Sequence, residues 1–258
     1  MNKKVRYVWV LSFVIFLLAG VSTSAQQTVD TVAVRATILN DSGVRAFDDG
    51  RFDEAIENFN KAIRLAPRQA AVYSNLGRAF FYEGRFDEAI HAFRKAVELD
   101  PAYVEHYHDI GIVCAKIGND QEAAAWLERA AALQPGNAKR HYNLGGVYIR
   151  TQRFEDAVKT LRLAAKLDGT NAEIYVSLGY TLSKLKKYRE AIREVQEALR
   201  LIPDDPEVRF FLGNLYLTVG DKQASKMQYD RLLRIDRVMA QKLFLEMHRD
   251  KIVVAPSR

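Results

Sequence analysis

The sequence predicts an all-α fold, a stack of helical hairpins, and three observations carry that prediction. The heptapeptide GRFDEAI stands at Gly50–Ile56 and again, unchanged, at Gly84–Ile90, 34 residues further on. Laid out in 34-residue rows from Ala36, the chain repeats one pattern of apolar and small residues six times. Within a row, Tyr73, Leu76, Gly77 and Phe80 fall at i, i+3, i+4 and i+7, the stripe of one helix, and Ala89, Phe93 and Ala96 form the stripe of a second. Proline (6) and glycine (14) are few, and no alternation of the kind that makes strands appears.

The amino terminus comes first. Lys3, Lys4 and Arg6 precede a 15-residue apolar run from Tyr7 to Val21, followed by small residues ending at Ala25. This is the anatomy of a secretory signal peptide over 1–25, cleaved after Ala25, and it makes the mature chain periplasmic or secreted. The run is short for a membrane span, which needs about 20 apolar residues. An uncleaved anchor is the alternative reading. Val21 stands where a lipid-anchoring motif needs cysteine. Residues 26–35 form a lead-in.

The rows follow at 36–69, 70–103, 104–137, 138–171, 172–205 and 206–239. Row three carries Tyr107, Ile110, Gly111, Cys114, Gly118, Ala123, Leu127, Ala130 and Pro135 at the offsets set by row two. Row four carries His141, Leu144, Gly145, Tyr148, Ala157, Leu161 and Ala164, and row five Tyr175, Leu178, Gly179, Leu182, Ala191, Val195, Ala198 and Pro203. Rows one and six match more loosely, as the ends of an array do. Small residues such as Gly77 and Ala89 let two helices approach, and Pro101 parts one hairpin from the next. In GRFDEAI, Gly50 and Gly84 end the first helix in the left-handed conformation, and Asp53, Glu54, Asp87 and Glu88 open the second, where negative charge is favoured. After row six, Met239, Leu243 and Met247 share one side of an amphipathic capping helix over 240–251, and 252–258 is a tail.

The pattern aromatic-x2-Leu-Gly-x2-aromatic, then Ala-x3-Phe-x2-Ala-x4-Pro, resembles the tetratricopeptide repeat. That resemblance implies a right-handed α-solenoid of six repeats with a C-terminal capping helix. In that family the first helices line a concave groove, and the sixth position of each row points into it. Here that position holds Asn75, Asp109, Asn143 and Ser177, with Phe211 in row six. The resemblance brings Arg78, Phe81, Tyr82, His108, Tyr142, Arg150, Tyr180 and Asn214 to the same groove. Asn offers both donor and acceptor to the backbone of an extended peptide. The carboxylate clamp of chaperone-binding members is not carried over, because Ser74, Arg78 and Asp109 replace its Lys, Asn and Asn.

Other chemistry is thin. Taking Lys3, Lys4 and Arg6 from the +6 of the full chain leaves +3, too little for a dedicated nucleic-acid binder. The lone Cys114 excludes an internal disulfide and sits at a packing position. His106 and His108 are two apart, unlike the i,i+4 spacing of a helical metal pair, and no phosphate loop, dinucleotide glycine pattern or serine elbow is present. We therefore expect no cofactor, no metal and no catalysis. The expected role is an exported adaptor whose groove binds a protein or peptide partner in envelope assembly or secretion. The alternative is peripheral docking on anionic membrane or acidic polymer through Lys184, Lys186, Lys187, Arg189 and Arg193. Oligomeric state and partner identity are not encoded in any motif.

Overall fold

The computed structural model describes residues 31–249. The signal peptide over 1–25 and the tail over 252–258 lie outside those residues. Among the described residues all regular structure is helical. Helix α1 covers residues 31–48. It is followed by α2 (Phe52–Leu65), α3 (Ala70–Tyr82), α4 (Phe86–Leu99), α5 (Val104–Lys116), α6 (Asp120–Leu133), α7 (Ala138–Arg150) and α8 (Phe154–Leu167). Then come α9 (Ala172–Lys184), α10 (Tyr188–Leu201), α11 (Pro206–Thr218), α12 (Lys222–Ile235) and α13 (Arg237–Met247). From α3 to α12, 13-residue first helices alternate with 14-residue second helices, so the 34-residue period is that of a hairpin. Among the described residues no helix is long and apolar enough to cross a membrane.

The chain divides into two compact units, one ending at Val113 and the other beginning at Cys114, inside α5. Unit 1 has an aromatic interior: Phe59, Phe93 and Tyr107 are each 1% exposed. A Cβ placed on Gly77 would stand 2.8 Å from the Phe93 ring, so only glycine lets α3 lie this close to α4. Unit 2 has Leu127, Leu161 and Val195 at the places of Phe59 and Phe93, and Leu161 and Val195 pack with Leu178 and Leu199 in one cluster across α8 to α11. A second cluster of Leu232, Ala240 and Leu243 seats α13. That helix begins three residues before the expected 240, because the Asp236 carboxylate accepts from the N–H groups of Val238 and Met239 and caps it there.

The turn inside each hairpin explains the repeated heptapeptide. Gly84 has φ +77°, and the Arg85 N–H reaches back to the Phe80 carbonyl at 2.8 Å, closing α3 with a left-handed cap. Arg85 then pairs with Glu88 at 2.9 Å while its guanidinium lies 4.4 Å from the centre of the Phe80 ring. Arg153 repeats both contacts with Asp156 and Tyr148. In rows four and five the glycine is missing, yet Gln152 and Lys186 hold the same left-handed conformation at φ +58° and +57°.

A second periodic contact joins the leading aromatic of a row to the carbonyl six residues before it. Tyr73 donates to Pro67 O at 3.2 Å, Tyr107 to Pro101 O at 3.0 Å and Tyr175 to Gly169 O at 3.4 Å. His141 binds Pro135 O through Nε2 at 2.8 Å, and Arg209 donates to Pro203 O. His141 and Arg209 are departures from the aromatic pattern, and both keep a donor at its tip. The position selects for reach and an N–H or O–H as well as for apolar bulk.

Candidate functional site

In unit 1 the exposed face of α3 borders three adjoining cavities, and Arg78 lines all of them. The first, about 260 Å³, is bounded by Phe47, Phe81, Tyr82, Ile112 and Val113 over a floor of Phe93, with Asp109 at its edge. The second, about 110 Å³, adds Val44, Asp48 and Asn75. The third, about 300 Å³, is lined by Ser74, Asn75, Asp100, Tyr103 and His106. Most of these residues sit on the outward side of α1, α3 and α5 because the other side carries the apolar stripe.

The expected residues of this unit fall as follows. Arg78 and Asp109 meet through Nε and Oδ2 at 3.5 Å, a long contact. His108 stands 3.6 Å from the same carboxylate. Asn75 donates to Asn40 Oδ1 at 3.0 Å, so part of its hydrogen-bonding capacity is spent between helices of neighbouring repeats. Tyr82 is 62% exposed and stacks on Phe52 with ring centres 5.5 Å apart. Phe81 meets Tyr82 edge-on at 5.5 Å and Phe86 at 5.8 Å.

Three contributors were not singled out from sequence. Phe47 completes the aromatic wall, 5.3 Å from Tyr82. The Tyr103 ring is tilted against that of His106, with centres 4.8 Å apart. His106 is 1% exposed, its Nδ1 is 2.7 Å from Ser74 Oγ, and its Nε2 has no hydrogen-bond partner among the described residues. The Ser74 hydroxyl has only this imidazole to donate to, so the arrangement leaving fewest unmet groups puts the ring proton on Nε2. Burial lowers the His106 pKa, against the opposing pull of Asp100, Asp109 and Glu105. The HYH spacing gave a signal for His106, since two residues separate opposite helix sides: one of the pair had to face inward.

In unit 2 a cavity of about 320 Å³ is bounded by Ile149, Val176, Ser177, Tyr180, Val208 and Phe211, with Glu207 beside it. Ser177, Tyr180 and Phe211 are therefore brought together. Tyr180 is 41% exposed, and Lys184 Nζ lies 5.0 Å from its ring centre. Tyr142, Asn143 and Asn214 are half-buried. Burial, then Glu173, pushes the Tyr142 phenol pKa up, while its bond to Ser177 opposes that shift. Arg150 is claimed by Asp120 at 2.8 Å. Among the described residues no three His, Cys, Asp or Glu side chains converge as a metal set.

The family model of the cilia and flagella-associated protein 70 C-terminal domain matches residues 18–241. Among solved structures, MamA is 26% identical with a TM-score of 0.60, over 62% of this chain and 94% of that one. YrrB, described as a TPR protein with an unusual peptide-binding site, is 22% identical with a TM-score of 0.64, over 75% of this chain and 98% of its own. PilF of Pseudomonas aeruginosa is 17% identical with a TM-score of 0.66, over 85% and 99%. At these identities the last two show a shared fold. No curated protein sequence matches.

Proposed function

The chain belongs to the tetratricopeptide-repeat family of the cilia and flagella-associated protein 70 C-terminal domain, and on that premise we propose that it is a noncatalytic scaffold for protein partners. Its first helices hold an extended peptide segment of a protein in cell-envelope assembly or secretion. One observation carries the reading: in each unit the residues expected in the groove border cavities of side-chain size, 260 Å³ beside Arg78, Phe81 and Tyr82 and 320 Å³ beside Ser177, Tyr180 and Phe211. Apolar cavities rimmed by a few polar groups are what peptide side chains fill. The peptide-binding site described for YrrB supports the same use of this fold. The envelope part of the proposal rests on the leader read in residues 1–25.

The test is selection of a random-peptide phage library on the mature chain. Selected peptides should shift amide resonances of α3 or α9, and Phe81→Ala or Tyr180→Ala should each weaken capture by about tenfold, as loss of an aromatic anchor does. Selected peptides that ignore both variants would overturn the groove. A second reading is favoured by the exposure of Lys184, Lys186, Lys187, Arg189 and Arg193 along one turn and helix start. In that reading anionic vesicles are captured at low salt and released as ionic strength rises.

A further inference from the structure

Asp48 is the residue the repeat pattern does not explain. It occupies the last turn of α1, where the equivalent places in α5, α7 and α9 hold Lys116, Arg150 and Lys184. Those bases suit a helix carbonyl end, which carries partial negative charge; a carboxylate there is repelled by it. Asp48 is exposed, makes no hydrogen bond or ion pair among the described residues, and lines the cavity shared with Phe47, Asn75 and Arg78. Asp100, at the carbonyl end of α4, lines the adjoining cavity beside Tyr103, and Asp109 the remaining one. Three carboxylates thus stand along this groove against a single guanidinium, which Asp109 already faces.

We infer that unit 1 takes a peptide presenting a lysine or arginine next to a bulky apolar residue. The apolar side chain fills the 260 Å³ cavity over Phe93, and the cation faces Asp48. Phe47 lines the same cavity as Asp48 and supplies an aromatic ring beside a cation there. This inference rests on the groove reading and narrows its partner to basic segments.

Three labelled, amidated peptides test it: acetyl-Gly-Lys-Phe-Lys-Gly, its Gln-Phe-Gln counterpart and its Glu-Phe-Glu counterpart, titrated by fluorescence anisotropy into the mature chain. The lysine peptide should bind best and the glutamate peptide worst. Asp48→Asn should reduce the preference for lysine over glutamine by about three- to fivefold, as expected for an exposed charge pair. Asp87→Asn, which removes an equal charge elsewhere in unit 1, should leave it unchanged. Tightest binding of the glutamate peptide, lost in Arg78→Gln, would overturn the inference and leave an acid-binding groove in place. If none of the three binds while library peptides still depend on Phe81, the basic-partner inference falls and the groove stands. If the library yields nothing that depends on Phe81, the groove itself falls for this unit.

Discussion

Unit 1 and unit 2 follow one template and fill it differently. Around Gly77 the space between the helices is taken by a phenylalanine ring, Phe93, whereas the matching glycines of unit 2, Gly145 and Gly179, face Leu161 and Val195. Outside the template the contrast is sharper. Arg78 touches three cavities and meets its carboxylate only at 3.5 Å, while Arg150 is held by Asp120 at 2.8 Å. Packing positions are interchangeable so long as volume is conserved. Polar groove positions are not, because each partner they find within the chain removes them from a ligand.

The largest test of this contrast is truncation of the interior. Phe93→Ala should cost about 3–5 kcal/mol and Leu161→Ala about 2–5 kcal/mol, measured by urea unfolding. Only the first also enlarges the cavity beside Arg78, so it should alter peptide capture in proportion beyond its stability loss. Equal effects on capture would erase the distinction between the two interiors.

A second test uses acid. His106 in unit 1 is buried with its pKa lowered, so below the ordinary histidine value of about 6.5 the unfolded chain takes up a proton that the folded chain resists. Stability should therefore be fully present above that pH and decline as pH falls through it toward the lower folded value. Comparing urea midpoints at neutral and mildly acid pH reads the effect. In His106→Gln the decline over that interval should shrink; if it persists in full, another group is responsible.

The turns give a smaller effect of opposite sign in the two units. Gly84→Ala should lose about 1 kcal/mol, since a side chain at φ +77° is strained, whereas Gln152→Gly should gain up to about 1 kcal/mol by relieving φ +58°. Thermal unfolding of the pair would show it, and a loss in Gln152→Gly would mean that the turn side chain makes a compensating contact. The smallest expected change is at Ser225, fully buried where the other rows have alanine and with its hydroxyl unpartnered among the described residues. Ser225→Ala should stabilise by roughly 0.5–1 kcal/mol, the part of the desolvation penalty that the removed hydroxyl no longer incurs. Denaturant midpoints of the two chains decide it.

Much of this protein was legible in its residues. A 34-residue period, two helical stripes per period and a glycine turn between them specify hairpins, because local periodicity and side-chain volume act within one or two turns of chain. Cys114, at a packing position, is 0% exposed for the same reason. The repeat offset also brought residues together, since Arg78, Phe81, Tyr82 and Asp109 border one cavity and Ser177, Tyr180 and Phe211 another. What only the tertiary structure decided is which polar groups are spoken for. Asn75 is engaged by Asn40, Arg150 by Asp120 and His106 by Ser74, partners about 30 or more residues away. Each such choice depends on the distance between neighbouring hairpins and on the rotamers that fit there. A short window of sequence contains neither.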